Sequence, residues 1–197
     1  MKRLIKGFLR RYLGTQVIKV HYLGRRIDID DTYVDDIVSS LKYDDFLLGD
    51  TEEFTSAKLE GIKKKFADDT YKAYGILENG TLIFSCWISL KKIGLPVIAT
   101  SSICLNNDQG YLEDDFCRVE YRGRGFQKRM IRYRLSQLAD LGKSEAIVTV
   151  IDGNIPSLRA YLKSGMKDLG VFYCGKLLWR PFCTLTYKKK SFFDSKI

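Results

Sequence analysis

A chain of 197 residues has room for one domain with a substantial core and is cramped for two; its 45% hydrophobic and 29% charged residues are the balance of an ordinary globular protein. No window reaches the roughly 18 consecutive apolar residues of a membrane-spanning helix. Five cysteines without a C-x-x-C pair, beside a single histidine, His21, argue against a zinc site, a disulfide framework and a Ser-His-Asp triad, and point to a reducing cytoplasm. The net charge of +9 suggests an anionic partner: nucleic acid, a membrane surface or a phosphorylated ligand.

Residues 1–13, "MKRLIKGFLRRYL", set Met1, Ile5, Phe8, Leu9, Tyr12 and Leu13 on one helical face, with Lys2, Arg3, Lys6, Arg10 and Arg11 around the rest. This basic amphipathic helix is suited to pack on its own domain, or to lie peripherally on the inner membrane surface. It lacks the apolar run and cleavage site of a signal peptide. "TQVIKVHYL" (15–23) reads as a strand that carries His21. "DDTYVDDIVSSL" (30–41) and "DTEEFTSAKLEGIKKKF" (50–66) read as helices, with Asp50 and Thr51 as candidate caps of the second. The stretch 71–90 is a hairpin turned at Asn79-Gly80, a pair that supplies the positive φ angles of a tight turn. Strands follow at 96–104 and 111–119, separated by the polar "NNDQG". Then comes a helix over 126–141, whose Met130, Ile131, Leu135, Leu138 and Leu141 share a face and which Gly142 stops. "EAIVTVI" (145–151) is a buried strand. A short helix starts at Asn154, with Pro156 in its first turn and Gly165 after it. Strands at 169–174 and 182–188 close the order, and 188–197 reads as a loose tail. Alternating strands and helices predict an α/β (α+β) mixed sheet in a single domain, 1–197.

The densest chemistry lies at 120–130, "EYRGRGFQKRM". Gly123 and Gly125 let main-chain amides approach a ligand closely, and the helix start at Phe126 and Gln127 offers unpaired donors and a partial positive charge. Arg122, Arg124 and Lys128 add full charges, so the turn reads as a pyrophosphate cradle. It is not a Walker A loop, which needs G-x-x-x-x-G-K-[ST]. Nor is it a dinucleotide fingerprint, whose third glycine would fall at Lys128. A nucleic-acid contact would be expected to carry more stacking aromatics than Phe126 and Tyr133, so a non-catalytic nucleic-acid-binding module is the weaker reading.

Arg122 and Gly125 match the acetyl-CoA loop Arg/Gln-x-x-Gly-x-Gly/Ala of the GNAT acetyltransferase superfamily, with Gln127 departing at the last position. Downstream, Asn154, Ser157, Tyr161, Lys163 and Gly165 resemble that family's second signature, and Met166 stands where it has an aromatic. The resemblance covers residues 111–170. It implies a GNAT-like domain with a central, mostly antiparallel sheet splayed at the cofactor and helices on both faces. It also implies an acetyl-CoA-dependent N-acetyltransferase that passes acetyl directly to a primary amine of a small molecule or an exposed protein group, without metal. A relative acting in cell-envelope or polysaccharide assembly is the alternative enzyme.

The resemblance assigns the diphosphate to 122–128 and the pantetheine arm to the main chain of Cys117 and Val119, which would also supply an oxyanion donor. Asn154 and Ser157 would hold the cofactor at the second helix, and Tyr161 would protonate the leaving thiolate. Among the acids before Cys117, strand alternation places Glu113 and Asp115 on one face with Cys117 and Asp114 on the other. Glu113, then Asp115, are the candidate bases; an amine near the ordinary lysine pKa of about 10.4 needs one.

Overall fold

The computed structural model describes residues 16–28, 32–95, 103–177 and 180–187. The expected N-terminal helix and C-terminal tail, most of the strand at 96–104, and Trp179 lie outside these residues. The chain forms two compact units: Met1–Gly24 with Ile93–Cys104 and Val148–Ile197, and Arg25–Lys92 with Leu105–Ile147.

In the first unit β1 (Gln16–Arg26) lies antiparallel to β9 (Lys167–Leu177), which pairs in turn with β10 (Arg180–Tyr187). The strand order is β10-β9-β1-β8, where β8 is Glu145–Ile151. The short helix α4 (Ile155–Lys163) follows β8. Cys174 faces Cys183 directly across β9 and β10, and the two form a disulfide. The sequence expectation of no disulfide framework did not foresee this bridge, because the nine-residue spacing means nothing until the hairpin register is known.

The second unit carries the other segments: β2 (Ser39–Ser40), α1 (Tyr43–Phe46), α2 (Ser56–Phe66), β3 (Tyr71–Glu78), β4 (Thr81–Ser89), β7 (Gln109–Cys117) and α3 (Phe126–Asp140). The remaining short strands, β5 (Lys92–Ile93) and β6 (Ile103–Cys104), pair with each other. Strand order in this unit is β7-β4-β3-β2, each strand antiparallel to its neighbour. The 71–90 hairpin forms as expected, with Asn79 at φ 50° and Gly80 at φ 72°.

Alternation along β3 and β4 builds two layers. Ala73 and Trp87 join Phe46, Phe54 and Phe66 of the α1–α2 side, where Phe46 stacks on Trp87 at 5.5 Å. Tyr74 turns the other way to meet Tyr133 of α3 at 5.3 Å. Helices therefore cover both faces of this part of the sheet. Gly110 lets α3 settle on β7: a Cβ there would stand 2.1 Å from Leu138.

Two helix expectations need correction. Residues 32–38 form no helix and lead into β2 instead; their apolar residues Val34 and Ile37 are exposed, at 86% and 46%, so no face there could be buried by a helix. The helix expected from Asp50 begins only at Ser56. Thr55 is its N-cap, accepting from the Lys58 amide at 3.4 Å, while Asp50 closes a turn by accepting from the Glu52 amide.

Candidate functional site

The strand β7 should carry Glu113, Asp114, Asp115, Phe116 and Cys117 alternately to its two faces. It does not. The register with β4 steps from Trp87↔Glu113 to Ser85↔Phe116, so three steps on β7 meet two on β4. This is a β-bulge, and Asp114 sits in it with φ 55°, in the left-handed region that costs a residue with a Cβ about 1–2 kcal/mol. The extra residue reverses the alternation. Glu113 and Asp114 face α2, where Lys65 reaches Glu113 at 2.9 Å and Asp114 at 3.5 Å, and Lys58 reaches Asp114 at 3.2 Å. Asp115 faces α3, where Arg134 holds it at 2.7 Å. The expectation that Glu113 and Asp115 share a face is thus overturned, because strict alternation holds only for an unbulged ladder.

Burial pushes the Glu113 carboxyl above the ordinary range, against the pull of Lys65. For Lys58, burial opposes the charge, but Asp114 and Glu53 outweigh it and hold its pKa up. Burial also raises the Cys117 thiol, with Arg122 opposing.

From Cys117 the chain makes a 3-10 turn, Val119–Tyr121, and enters the glycine-arginine loop. Gly123 and Gly125 both take left-handed φ angles, 80° and 81°, with open space where a Cβ would stand. Gly125 is the N-cap of α3, whose first turn holds no acidic residue but does hold the exposed Lys128. A helix N-terminus is electropositive, so basic residues there are the charge pattern of an anion site. Arg122 is tied back to the strand end, its Nε–H donating to the Cys117 carbonyl at 3.2 Å. Arg124 donates to the Glu120 carbonyl and lies over the Tyr121 ring at 4.7 Å, and Phe126 leans on the same ring. Tyr121 is anchored by its hydroxyl to Glu78. Val119 is 63% exposed beside this loop.

The second signature lies in the first unit. Asn154 caps α4, its Oδ1 accepting from the Ser157 amide at 3.3 Å, which is the structural use expected of a helix-start asparagine. Tyr161 is buried at 2% exposure. Before α4, Asp152 accepts a 2.9 Å hydrogen bond from His21 and pairs with Lys19, contacts that lower its pKa. The structure thus brings Glu113, Asp115, Cys117, Val119 and 122–128 together along one continuous stretch, and Asn154, Ser157 and Tyr161 along another. Among the described residues no group of three or more His, Cys, Asp or Glu could hold a metal. No described helix is long and apolar enough to cross a membrane.

Sequence reasoning missed Lys58, Lys65 and Arg134. Arg134 had a signal: it falls inside the apolar stripe Met130, Ile131, Leu135, Leu138 at helical spacing, where a charge needs a partner.

By sequence the chain matches no protein-family profile and no curated protein. By fold it is similar to solved acetyltransferases. A protein of Novosphingobium aromaticivorans assigned to the GNAT family superposes with a TM-score of 0.57 at 15% identity, covering 80% of this chain and 63% of its own. A GCN5-related N-acetyltransferase of Sphaerobacter thermophilus gives 0.55 at 10% identity, covering 92% and 58%. An aminoglycoside 6'-N-acetyltransferase of Acinetobacter haemolyticus gives 0.50 at 14%, covering 81% and 98%. The chain thus spans under two thirds of the first two proteins' lengths. It has the GNAT acetyltransferase fold, a mixed α/β architecture on a mostly antiparallel sheet.

Proposed function

We propose that the protein is an acetyl-CoA-dependent N-acetyltransferase. The observation that carries this reading is the stretch 113–128: a bulged strand end running into two left-handed glycines and a helix N-terminus flanked by Arg122, Arg124 and Lys128. Main-chain amides of the loop and first helical turn would take the diphosphate oxygens, and the basic side chains would neutralise them. The pantetheine arm would run beside Cys117 and Val119 like an added strand, with the bulge supplying an amide to the thioester oxygen. The family resemblance assigns Asn154 and Ser157 to holding the cofactor and Tyr161 to giving a proton to the departing thiolate.

The acceptor is a primary amine of a small molecule or an exposed protein group. Both acids are ion-paired, but Glu113 is the better base: burial outweighs the pull of Lys65 and makes its carboxylate more basic, whereas Asp115 is held by the fully buried Arg134. The amine nitrogen would attack the thioester carbon. The acetyl–sulfur bond breaks, the thiolate takes Tyr161's proton, and Glu113 accepts the proton lost by the amine. No resident metal is needed, and the cytoplasm is the proposed location; residues 1–13 are its candidate contact with the membrane.

Calorimetry with acetyl-CoA, beside a short RNA and a short DNA duplex, tests the reading. Saturable 1:1 binding of acetyl-CoA is expected; preference for nucleic acid would overturn it. With an acceptor found by free-thiol release, Tyr161→Phe should lower turnover while cofactor affinity stays within about twofold.

A further inference from the structure

Arg134 is fully buried, at 0% exposure, in the middle of α3. Burying a guanidinium is costly unless its donors are met, and single-partner loss then leaves an uncompensated charge. Its contacts are therefore informative. One nitrogen meets Asp115 at 2.7 Å, another donates to the main-chain carbonyl of Trp87 at 3.2 Å, and Nε–H donates to the Met130 carbonyl at 3.4 Å within its own helix. Trp87 is the β4 residue opposite Glu113, the last regular pair before the register shifts. The same side chain thus grips both sides of the β7 bulge.

Nothing in helix packing requires a cation here. Met130, Ile131, Leu135 and Leu138 already fill the stripe that seats α3 on the sheet, and an apolar residue would extend it. What does require a cation is Asp115, which the extra residue at the bulge turns inward. The bulge is also strained, because Asp114 holds a left-handed φ without being glycine. Strain of this kind persists where the surroundings over-determine it. Arg134 does so from the α3 face, while Lys58 and Lys65 fix Asp114 from the α2 face.

We propose that Arg134 is a positioning residue for acetyl transfer: through Asp115 and the Trp87 carbonyl it locks the β7 bulge, and so aims the main chain that receives the acetyl group. The inference rests on the reading of 113–128 as an acetyl-CoA site. It separates two parts of cofactor binding. The diphosphate grip belongs to the loop and the start of α3, two helical turns away from Arg134. The acetyl end belongs to the bulge. Loosening the bulge should therefore cost the acetyl group its contacts and leave the diphosphate held.

The test compares acetyl-CoA with CoA by calorimetry on the full chain, so no acceptor is required. Wild type should bind both and prefer acetyl-CoA. Arg134→Met should keep CoA affinity within about threefold and lose the acetyl-CoA preference, and Arg134→Lys should restore part of it. Arg134→Met removes the charge paired with Asp115 and threatens the fold of the unit, so the double variant Arg134→Met/Asp115→Leu removes both charges and is expected to fold while still lacking the preference. Amide hydrogen exchange over 113–117 should speed up at least tenfold in either variant and slow again in Arg134→Lys. A folded double variant with the wild-type preference and wild-type exchange overturns the positioning role. Wild type binding neither cofactor overturns the site reading, and the inference with it.

Discussion

Gly125→Ala separates the conformational demands of the loop from those of the fold. Gly125 has φ 81°, and a Cβ built there meets nothing within 4 Å, so the substitution adds no clash. Its whole cost is the left-handed backbone, about 1–2 kcal/mol for a residue with a Cβ. Gly142, just past the end of α3, is a matched control: φ is 70° and its Cβ would also stand in open space. Gly142→Ala should therefore lose this amount of stability, about 2–4 °C in Tm per kcal/mol for a chain of this size, and Gly125→Ala the same amount less whatever strain its free chain relieves. They should differ in ligand affinity. In Gly125→Ala the free chain can relieve strain by tipping the first peptide of α3, and binding must turn it back. Up to the full 1–2 kcal/mol then appears as lost affinity, about 5–30-fold in Kd for CoA. Gly142→Ala should leave Kd unchanged. Thermal denaturation with calorimetry on both variants measures this directly. Equal CoA affinities for the two, with both destabilised, would refute the claim that this turn's geometry holds the diphosphate.

Three further outcomes are expected. Gly75→Ala should destabilise the second unit by about 1–3 kcal/mol in urea, because its Cβ would stand 2.4 Å from the Phe84 carbonyl oxygen and 2.6 Å from Leu41; an unchanged urea midpoint would contradict that packing. Burial pushes the Cys86 thiol up to about 12, so mass spectrometry after iodoacetamide at pH 8 should find the exposed Cys104 alkylated and Cys86 untouched; equal labelling would show that the β4 core opens readily. For Glu113 the folded state holds the proton more tightly than the unfolded chain, so its contribution to stability falls as pH rises from the ordinary glutamate range through the raised folded value. Glu113→Gln should remove that slope from urea titrations between pH 4 and 7, and parallel curves would show that burial does not perturb Glu113.

Elements with a single strong local signal were legible in the sequence. Asn79-Gly80 fixed the hairpin because few residues tolerate the φ angles of its turn, and "EAIVTVI" could only be a buried strand. The helix at 126–141 followed from its stripe, although Leu141 proved 41% exposed at the C-cap, one residue beyond the face that packs. Residues 32–38 misled because spacing alone cannot tell a helix from an extended segment when few apolar side chains find a core. The Cys174–Cys183 bridge was invisible for a different reason: it depends on hairpin register, which the sequence leaves open until β9 and β10 are paired.

The candidate site shows the same divide more sharply. Its glycines, arginines and helix start are contiguous, and contiguity is what a sequence displays. The bulge is not contiguous information. Nothing in "LEDDFC" says that one residue will be slipped against β4, and without that knowledge alternation assigns Glu113 to the wrong face. Yet the compensating signal was present twenty residues downstream, in a lone arginine set within the apolar stripe of α3. A buried cation demands an anion turned inward, and on β7 only a break in alternation turns Asp115 towards α3 while leaving Glu113 with Lys65. Arg134 and the three successive acids therefore constrain each other: the charge in the helix calls for the irregular strand, and the irregular strand shapes the end of the site where acetyl would lie.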